Sequence, residues 1–419
     1  MHLGRRLGEA RAVIPQFRED AAALVALAAL AGLVFSVGMQ RHAALWDESA
    51  YLNSIRLYER MGLTRNFLRD MFPGSSGPLL CVWYSWGTRL LGYSIRGARM
   101  VSLASLIGAV GVFTLLLQQL KVRSPVFEGL ALLACPIVLV LGGLVMPEVS
   151  SLFFFCASLY FLGRALAAPA RAEPYWFFAG LLLALAALCR QNVLVLAVPV
   201  TLVTLRRRWF GPLFWYALSI AALVGPVFFF WRGLVPPRSA HIAHGFSWAN
   251  GTLGLGGTGA IFFLLYHPAR FLARAKWFLA LWAGAIFLLY LNAGPAMFSR
   301  DALFLSELGK GWITGFSIDS YPSIAFAGVI ALAALLILEI ATLFWQGGLS
   351  DFEQIVLLGL LCVGVSPAKI TYGFSARYLI STVPLTLCLG RLYPADRFRA
   401  YTVMAGAIGG LTGIFYLLA

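Results

Sequence analysis

The sequence has little charge, and less acid than base. Only 12% of its 419 residues are Asp, Glu, Lys or Arg, and 17 acids face 32 basic residues. A water-soluble chain of this length needs a charged surface. A 60% hydrophobic composition and a mean hydropathy of +0.83 exclude that class and define a polytopic membrane protein. Cysteine is also sparse. Cys135, Cys156, Cys189, Cys362 and Cys388 lie in apolar runs and Cys81 stands alone in a polar-leaning stretch. Their spacing fits neither a disulfide framework nor a metal site, so they read as packing residues. Internal repeats, low-complexity linkers and any run resembling an appended soluble domain are missing. Residues 1–419 therefore read as one transmembrane domain.

The net charge of +15 would raise nucleic acid as a partner in a soluble protein. In a membrane protein it reflects basic loops and lipid headgroups, so no nucleic-acid partner is expected. Arg5, Arg6, Arg11 and Arg18 precede the first apolar run, which has the length of a true span rather than of a signal-peptide core.

Apolar runs near 21–40, 98–117, 125–145, 149–166, 175–189, 192–205, 210–231, 257–269, 277–294, 322–345, 354–371, 376–390 and 400–418 predict an all-α bundle of about 11 to 14 spans. With the N-terminus in the cytoplasm, the cytoplasmic connections hold Lys121 and Arg123, Arg164 and Arg171, Arg206 to Arg208, Arg270, Arg274 and Lys276, and Arg391, Arg397 and Arg399. The short external connections hold few basic residues, which supports that orientation. The first external loop, about 41–97, is an exception. Together with the first residues of the next span it carries eight arginines, at 41, 56, 60, 65, 69, 89, 96 and 99.

That loop has helical signals. Asp47, Tyr51, Ser54 and Tyr58 share one helical face, and Glu59 can pair locally with Arg56. Residues 71–78 form a turn-rich break. Leu79 to Leu91, rich in Trp and Tyr, suits the lipid–water interface. The loop reads as about two interfacial helices.

Under this topology the unusual polar residues collect on the external side. They are Asp47 and Glu48, then Glu148, then Arg190-Gln191-Asn192, then His241 and His244. Later loops add Asp301, Glu307, Lys310 and Asp319, then Lys369, Tyr372, Arg377 and Tyr378. Acids, amides and cations on one face of a bundle describe a cavity open to the outside. Glu339, near the end of a span, is the main outlier.

This set suits chemistry on a lipid-linked phosphate. A carboxylate can take the proton of an attacking hydroxyl, and arginine or lysine can neutralise a departing phosphate. Nucleotide sugars stay in the cytoplasm, so a lipid phosphate is the activated form available outside. The arginine-rich loop could also bind such headgroups.

Trp46-Asp47-Glu48-Ser49-Ala50-Tyr51, Gly77-Pro78-Leu79, Leu91-Gly92-Tyr93-Ser94 and Arg96-Gly97-Ala98-Arg99 together resemble the N-terminal third of GT-C membrane glycosyltransferases. The branch is that of the protein O-mannosyltransferases and the lipid A aminoarabinose transferase. Those show Asp-Glu with an aromatic, a Pro-Pro-Leu-like turn, a Leu-Phe-Gly turn, and Arg before the second span. Here Gly77-Pro78 replaces Pro-Pro, and Leu91-Gly92 replaces Phe-Gly. Glu148 matches the second-loop acid of that fold. Arg377-Tyr378-Leu379 with Pro384 resembles its C-terminal Arg-Tyr-Leu-x-Pro region. Arg190-Gln191-Asn192 resembles the Arg-Gln-Thr-Asn motif of dolichol-linked glucosyltransferases. The likeness covers residues 40 to 195 and thins thereafter.

The resemblance implies interfacial helices in the first loop. It also implies inverting transfer of a hexose or pentose from a polyprenyl-phosphate donor to an acceptor outside, with Asp47 as general base. Glu48 and Glu148 join Asp47 as catalytic candidates. Substrate-binding candidates are Tyr51, Arg190, Gln191, Asn192, His241, His244, Lys369, Arg377 and Tyr378. No cofactor is required for certain, although Asp47, Glu48 and Glu148 could hold a divalent metal ion. The expected partners are the donor lipid, membrane lipids, and a glycan, lipid or protein acceptor. The expected location is a bacterial inner membrane with the site on its periplasmic face.

Each candidate has a bland alternative. Asp47 could be a helix N-cap, Glu48 and Glu148 first-turn acids, Arg190 a snorkelling end residue, and Tyr51 an interface anchor. Two rival functions stand beside transfer. A transporter or flippase predicts repeats and midplane charges, neither of which is visible. A lipid-pyrophosphate ligase or polymerase predicts a long late external loop, whereas here the first loop is longest.

Overall fold

The computed structural model describes residues 2–39, 44–71, 76–167, 172–238, 245–293, 322–370, 374–393 and 398–418. His241, His244, Asp301, Glu307, Lys310, Asp319 and Tyr372 lie outside them. The described chain is helical, with one isolated backbone bridge between Ser76 and Arg190.

Among the described residues, seven helices are long and apolar enough to cross a bilayer, with qualifying stretches Arg18–Gly38, Ile95–Gln119, Pro147–Ala167, Phe210–Trp231, Pro268–Leu291, Ala325–Gln346 and Asp351–Lys369. An eighth crossing would combine Pro125–Ala134 with Pro136–Gly142, which meet at 80°. Glu173–Cys189 and Gln191–Arg206 are shorter apolar helices. The other apolar runs fall on Trp248–Ala260 with its continuation Ile261–Tyr266, on Thr382–Cys388 and on Arg399–Leu418. Fewer helices reach spanning length than the 11 to 14 expected, because runs such as 125–145 and 376–390 are broken into short helices, and one expected break is absent. Pro268 opens a single helix to Ala293, so Arg270, Arg274 and Lys276 belong to its first turns rather than to a loop.

The elements that place the site are α1 (His2–Met39), α2 (Glu48–Met61), α3 (Arg65–Asp70), α4 (Leu79–Leu91), α5 (Ile95–Gln119), α6 (Pro125–Leu130), α7 (Pro136–Gly142), α8 (Pro147–Ala167) and α9 (Glu173–Cys189). The first loop thus holds three short helices, α2 to α4. Thr64 and Ser94 cap α3 and α5 by accepting from Phe67 N and Gly97 N, at 3.3 and 3.0 Å. Tyr51 and Ser54 face inward on α2, as their spacing predicts. The expected Arg56–Glu59 pair does not form, and Glu59 instead accepts from Ser85 Oγ at 3.1 Å. Trp86 on α4 is exposed, while Trp83 donates to Ser105 Oγ at 3.0 Å, which ties α4 to α5.

Small residues let the later helices approach closely. A Cβ at Gly254 would lie 2.1 Å from the Gly364 carbonyl oxygen, so the Trp248–Ala260 helix meets the Asp351–Val365 helix backbone to backbone. Ser350 caps the latter in a capping box with Glu353. All six cysteines are free thiols, five of them buried.

Ion pairs tie elements that are distant in sequence. Arg206 and Arg207 hold Asp351, Arg270 and Arg274 hold Glu339, Arg391 holds Glu353, and Arg399 holds Glu128. In each pair the arginine is one that the sequence reading expects on the cytoplasmic side. Glu339, the outlier, is therefore a buried counter-ion for two arginines and a partner of Tyr393 Oη at 3.3 Å. Arg238 and Asp70, from two connections far apart in sequence, meet at 3.0 Å.

Candidate active site

Four loops that are distant in sequence converge at one end of the bundle. Asp47 sits at the N-terminal boundary of α2, after Trp46, which has a left-handed φ of 50°. Such a backbone is costly for a non-glycine residue, and cases of this kind cluster at functional sites. Asp47 does not cap the helix: its side chain makes no bond to the α2 backbone. Its Oδ2 accepts instead from Arg377 Nη1 at 2.8 Å.

Glu148, the second residue of α8, is fully buried. Its Oε1 lies 2.6 Å from Arg190 Nη2 and 3.5 Å from Arg377 Nε. Arg377 thus stands between the two acids. Tyr378 lies beside both cations, with Arg190 and Arg377 at 5.0 and 5.7 Å from its ring centre. Asn192 Nδ2 donates to the Tyr378 carbonyl at 3.2 Å, joining the 190–192 turn to the C-terminal region. Tyr51 is buried among these groups. Burial pushes its phenol above its ordinary range, while Arg190 and Arg377 pull it back. It is therefore a hydrogen-bond donor at neutral pH rather than a base. Burial works against the Arg377 charge, but Glu148, Tyr51, Tyr378 and Asp47 outweigh it and hold the guanidinium protonated.

Arg190 is placed by its backbone. It breaks α9 in an extended conformation (φ −145°, ψ 109°), and Ser76 bridges it. Gly77 N donates to Cys189 O at 3.2 Å. A Cβ on Gly77 would come within 2.1 Å of the Leu188 carbonyl oxygen, so only glycine fits this crossing. The Gly77-Pro78-Leu79 turn is thus the clamp that sets Arg190.

Glu48 goes elsewhere, which corrects its grouping with Asp47 and Glu148 as one acid cluster. It is fully buried against Arg99, with Oε1 accepting from Arg99 Nε at 2.9 Å and from Val145 N at 2.8 Å. Its Oε2 accepts from Leu45 N at 2.8 Å and from Arg99 Nη2. Nearby, Tyr84 Oη donates to Met146 O at 3.2 Å, and Ser102 Oγ bonds Leu144 O. Glu48, Arg99, Tyr84 and Ser102 therefore hold residues 144–146, which lead directly into Glu148. Sequence reasoning missed Arg99, Tyr84 and Ser102 as supports. The signal present was the Arg96-Gly97-Ala98-Arg99 motif, which carried no assigned partner.

The expected three-acid metal set does not assemble. The space between Asp47 and Glu148 is taken by the Arg377 guanidinium, and Glu48 faces the other way. Among the described residues no three His, Cys, Asp or Glu side chains gather around a common point. Lys369 also stands apart, donating to Gly245 O at 3.3 Å. Gln191 Nε2 and Asn192 Oδ1 are buried without a hydrogen-bond partner among the described residues. A recess of about 300 Å³ lined by Leu52, Arg56, Glu59 and Tyr93 contains none of these groups. The four charges are tied to one another by ion pairs, and Asp47 is the most open of them at 40% side-chain exposure.

Residues 76–231 match the profile of the dolichyl-phosphate-mannose-protein mannosyltransferase family. That segment includes Glu148, Arg190 and the Gly77 clamp, and it agrees with the likeness to membrane glycosyltransferases read from the motifs. Two solved structures are similar, both of ArnT from Cupriavidus metallidurans. The apo form has a TM-score of 0.42 and the form bound to undecaprenyl phosphate 0.41. Each is 18% identical, covering 88% of this chain and 77% of that one. No curated protein sequence matches the chain.

Proposed function

We propose that the protein is an integral membrane glycosyltransferase that moves a monosaccharide from a polyprenyl-phosphate donor to an acceptor hydroxyl at the periplasmic face. The observation that carries this reading is the pairing of two acids with two arginines over Tyr378, because it sets phosphate-binding cations beside a carboxylate with an exposed edge. The family match over residues 76–231 supports the same class of reaction.

In this reading Arg190 and Arg377 hold the donor phosphate, and their charge stabilises the leaving group. Asp47 takes the proton of the acceptor hydroxyl as its oxygen bonds the anomeric carbon. The bond from that carbon to the phosphate oxygen breaks with its electron pair on the phosphate, and attack from the opposite face inverts the centre. Glu148 keeps both arginines in place, with Glu48 and Arg99 positioning its strand of chain. Tyr51 offers a phenolic proton toward the donor, while Gln191 and Asn192 offer unused polar atoms to sugar hydroxyls. The residues do not fit a shared metal ion, so no step runs through one.

The test is incubation of purified protein in nanodiscs with polyprenyl-phosphate sugars and candidate acceptors, followed by mass spectrometry of lipid and acceptor. Free polyprenyl phosphate with a glycosylated acceptor supports the reading. Movement of the lipid-linked sugar across vesicles without any covalent product overturns it in favour of a flippase.

A further inference from the structure

The acid that the proposed reaction needs as a base is already engaged. Asp47 Oδ2 lies 2.8 Å from Arg377 Nη1, and a carboxylate held in a charge-assisted bond has fewer lone pairs for an incoming proton. Arg377 also reaches Glu148 Oε1 at 3.5 Å, and Arg190 reaches the same oxygen at 2.6 Å. Among the described residues of the cluster, two cations and two anions balance. A phosphodiester carries one negative charge, so it cannot join this cluster without displacing an acid or stranding a charge.

The two acids are not equal candidates for displacement. Glu148 is fully buried and held by both arginines, whereas Asp47, among the described residues, is held by Arg377 alone and is 40% exposed. The Asp47 side chain also makes no bond to the α2 backbone, and the residue follows the left-handed Trp46 in the connection from α1. Among the described residues, Arg377 is what keeps its carboxylate turned inward.

Building on the glycosyl-transfer reading, we infer that Arg377 is a positioning residue that holds Asp47 in an ion pair until the donor phosphate takes its place. The phosphate oxygen occupies the Arg377 Nη1 donor, and repulsion between the two anions turns the Asp47 carboxylate toward the acceptor. Donor binding then precedes base catalysis. In the absence of donor the base stays occupied, so an acceptor or water is not activated prematurely. The order of events follows from charge balance at one guanidinium and requires no moving domain.

The experiment is a binding measurement with undecaprenyl phosphate, which carries no sugar, on purified protein in nanodiscs. Asp47→Asn removes the competing charge, so it should bind this lipid roughly 3- to 10-fold more tightly than wild type while losing transfer. Arg377→Gln should bind more weakly, and in the Asp47→Asn/Arg377→Gln double variant the tightening should vanish. Unchanged thermal melting of Asp47→Asn establishes that its fold is intact. Equal or weaker binding by Asp47→Asn overturns the inference, as does tightening that persists without Arg377. Wild-type protein that binds no undecaprenyl phosphate overturns the donor reading itself, which is a distinguishable result.

Discussion

Asp47 and Arg377 are 330 residues apart in sequence and 2.8 Å apart in the fold. An acid at the start of a helix ordinarily serves its own backbone, yet this one serves a guanidinium from the far end of the chain. That choice separates a site residue from a cap. It predicts that removal of the carboxylate costs chemistry and little stability. Asp47→Asn should lower transfer about 10²- to 10⁴-fold, the usual contribution of a general base, with melting nearly unchanged. Turnover measured as released polyprenyl phosphate checks this, and full activity in Asp47→Asn would remove the residue as the base.

Glu48, the neighbour of Asp47, should behave in the opposite way. It and Arg99 are a buried pair, so truncating either leaves a charge without its partner. Glu48→Gln and Arg99→Ala should each cost about 3–5 kcal/mol of stability. A combined Glu48→Gln/Arg99→Met variant should recover part of that loss, because no charge is then left buried. Thermal melting in detergent, compared across the three variants, gives the coupling. Strictly additive losses would mean that the pair does not act as a unit.

How much of this was legible from sequence follows from which contacts are local. The all-α class followed from apolar runs. Asp47, Glu148, Arg190 and Arg377 could be nominated because charges at membrane depth are costly and few. Their mutual geometry could not, since nothing in a one-dimensional pattern says that Arg377 reaches across to Asp47. The assignment of Glu48 to the same cluster failed for a related reason. Successive residues on a helix point about 100° apart, so an acid pair adjacent in sequence faces two different partners. The Arg56–Glu59 pair failed because a tertiary partner, Ser85, was available to Glu59.

Gly77 offers a test of positioning at a distance. The glycine touches no charge of the cluster, but a methyl group there would meet the Leu188 carbonyl at 2.1 Å and push Arg190 away from Glu148. Gly77→Ala should therefore lower both melting temperature and turnover, the latter by roughly 10²-fold, the scale of loss expected when a site group moves by about 1 Å. Gly111, with open space around it, is the matched control, and Gly111→Ala should leave both unchanged. Similar behaviour of the two variants would show that the Gly77 crossing is not what sets Arg190.

Tyr378 underlies both arginines, so its ring and its hydroxyl can be separated by substitution. Tyr378→Phe keeps the aromatic face and should retain donor affinity within about twofold. Tyr378→Leu keeps apolar bulk without the ring quadrupole and should weaken donor binding roughly 5- to 30-fold, as expected for loss of two partly buried cation–π contacts. The effect should appear chiefly in KM for the lipid donor, because the ring steadies the cations before any bond breaks. A Leu variant with wild-type KM would mean that the two guanidinium groups are held by their acids alone, and that the ring contributes packing rather than charge support.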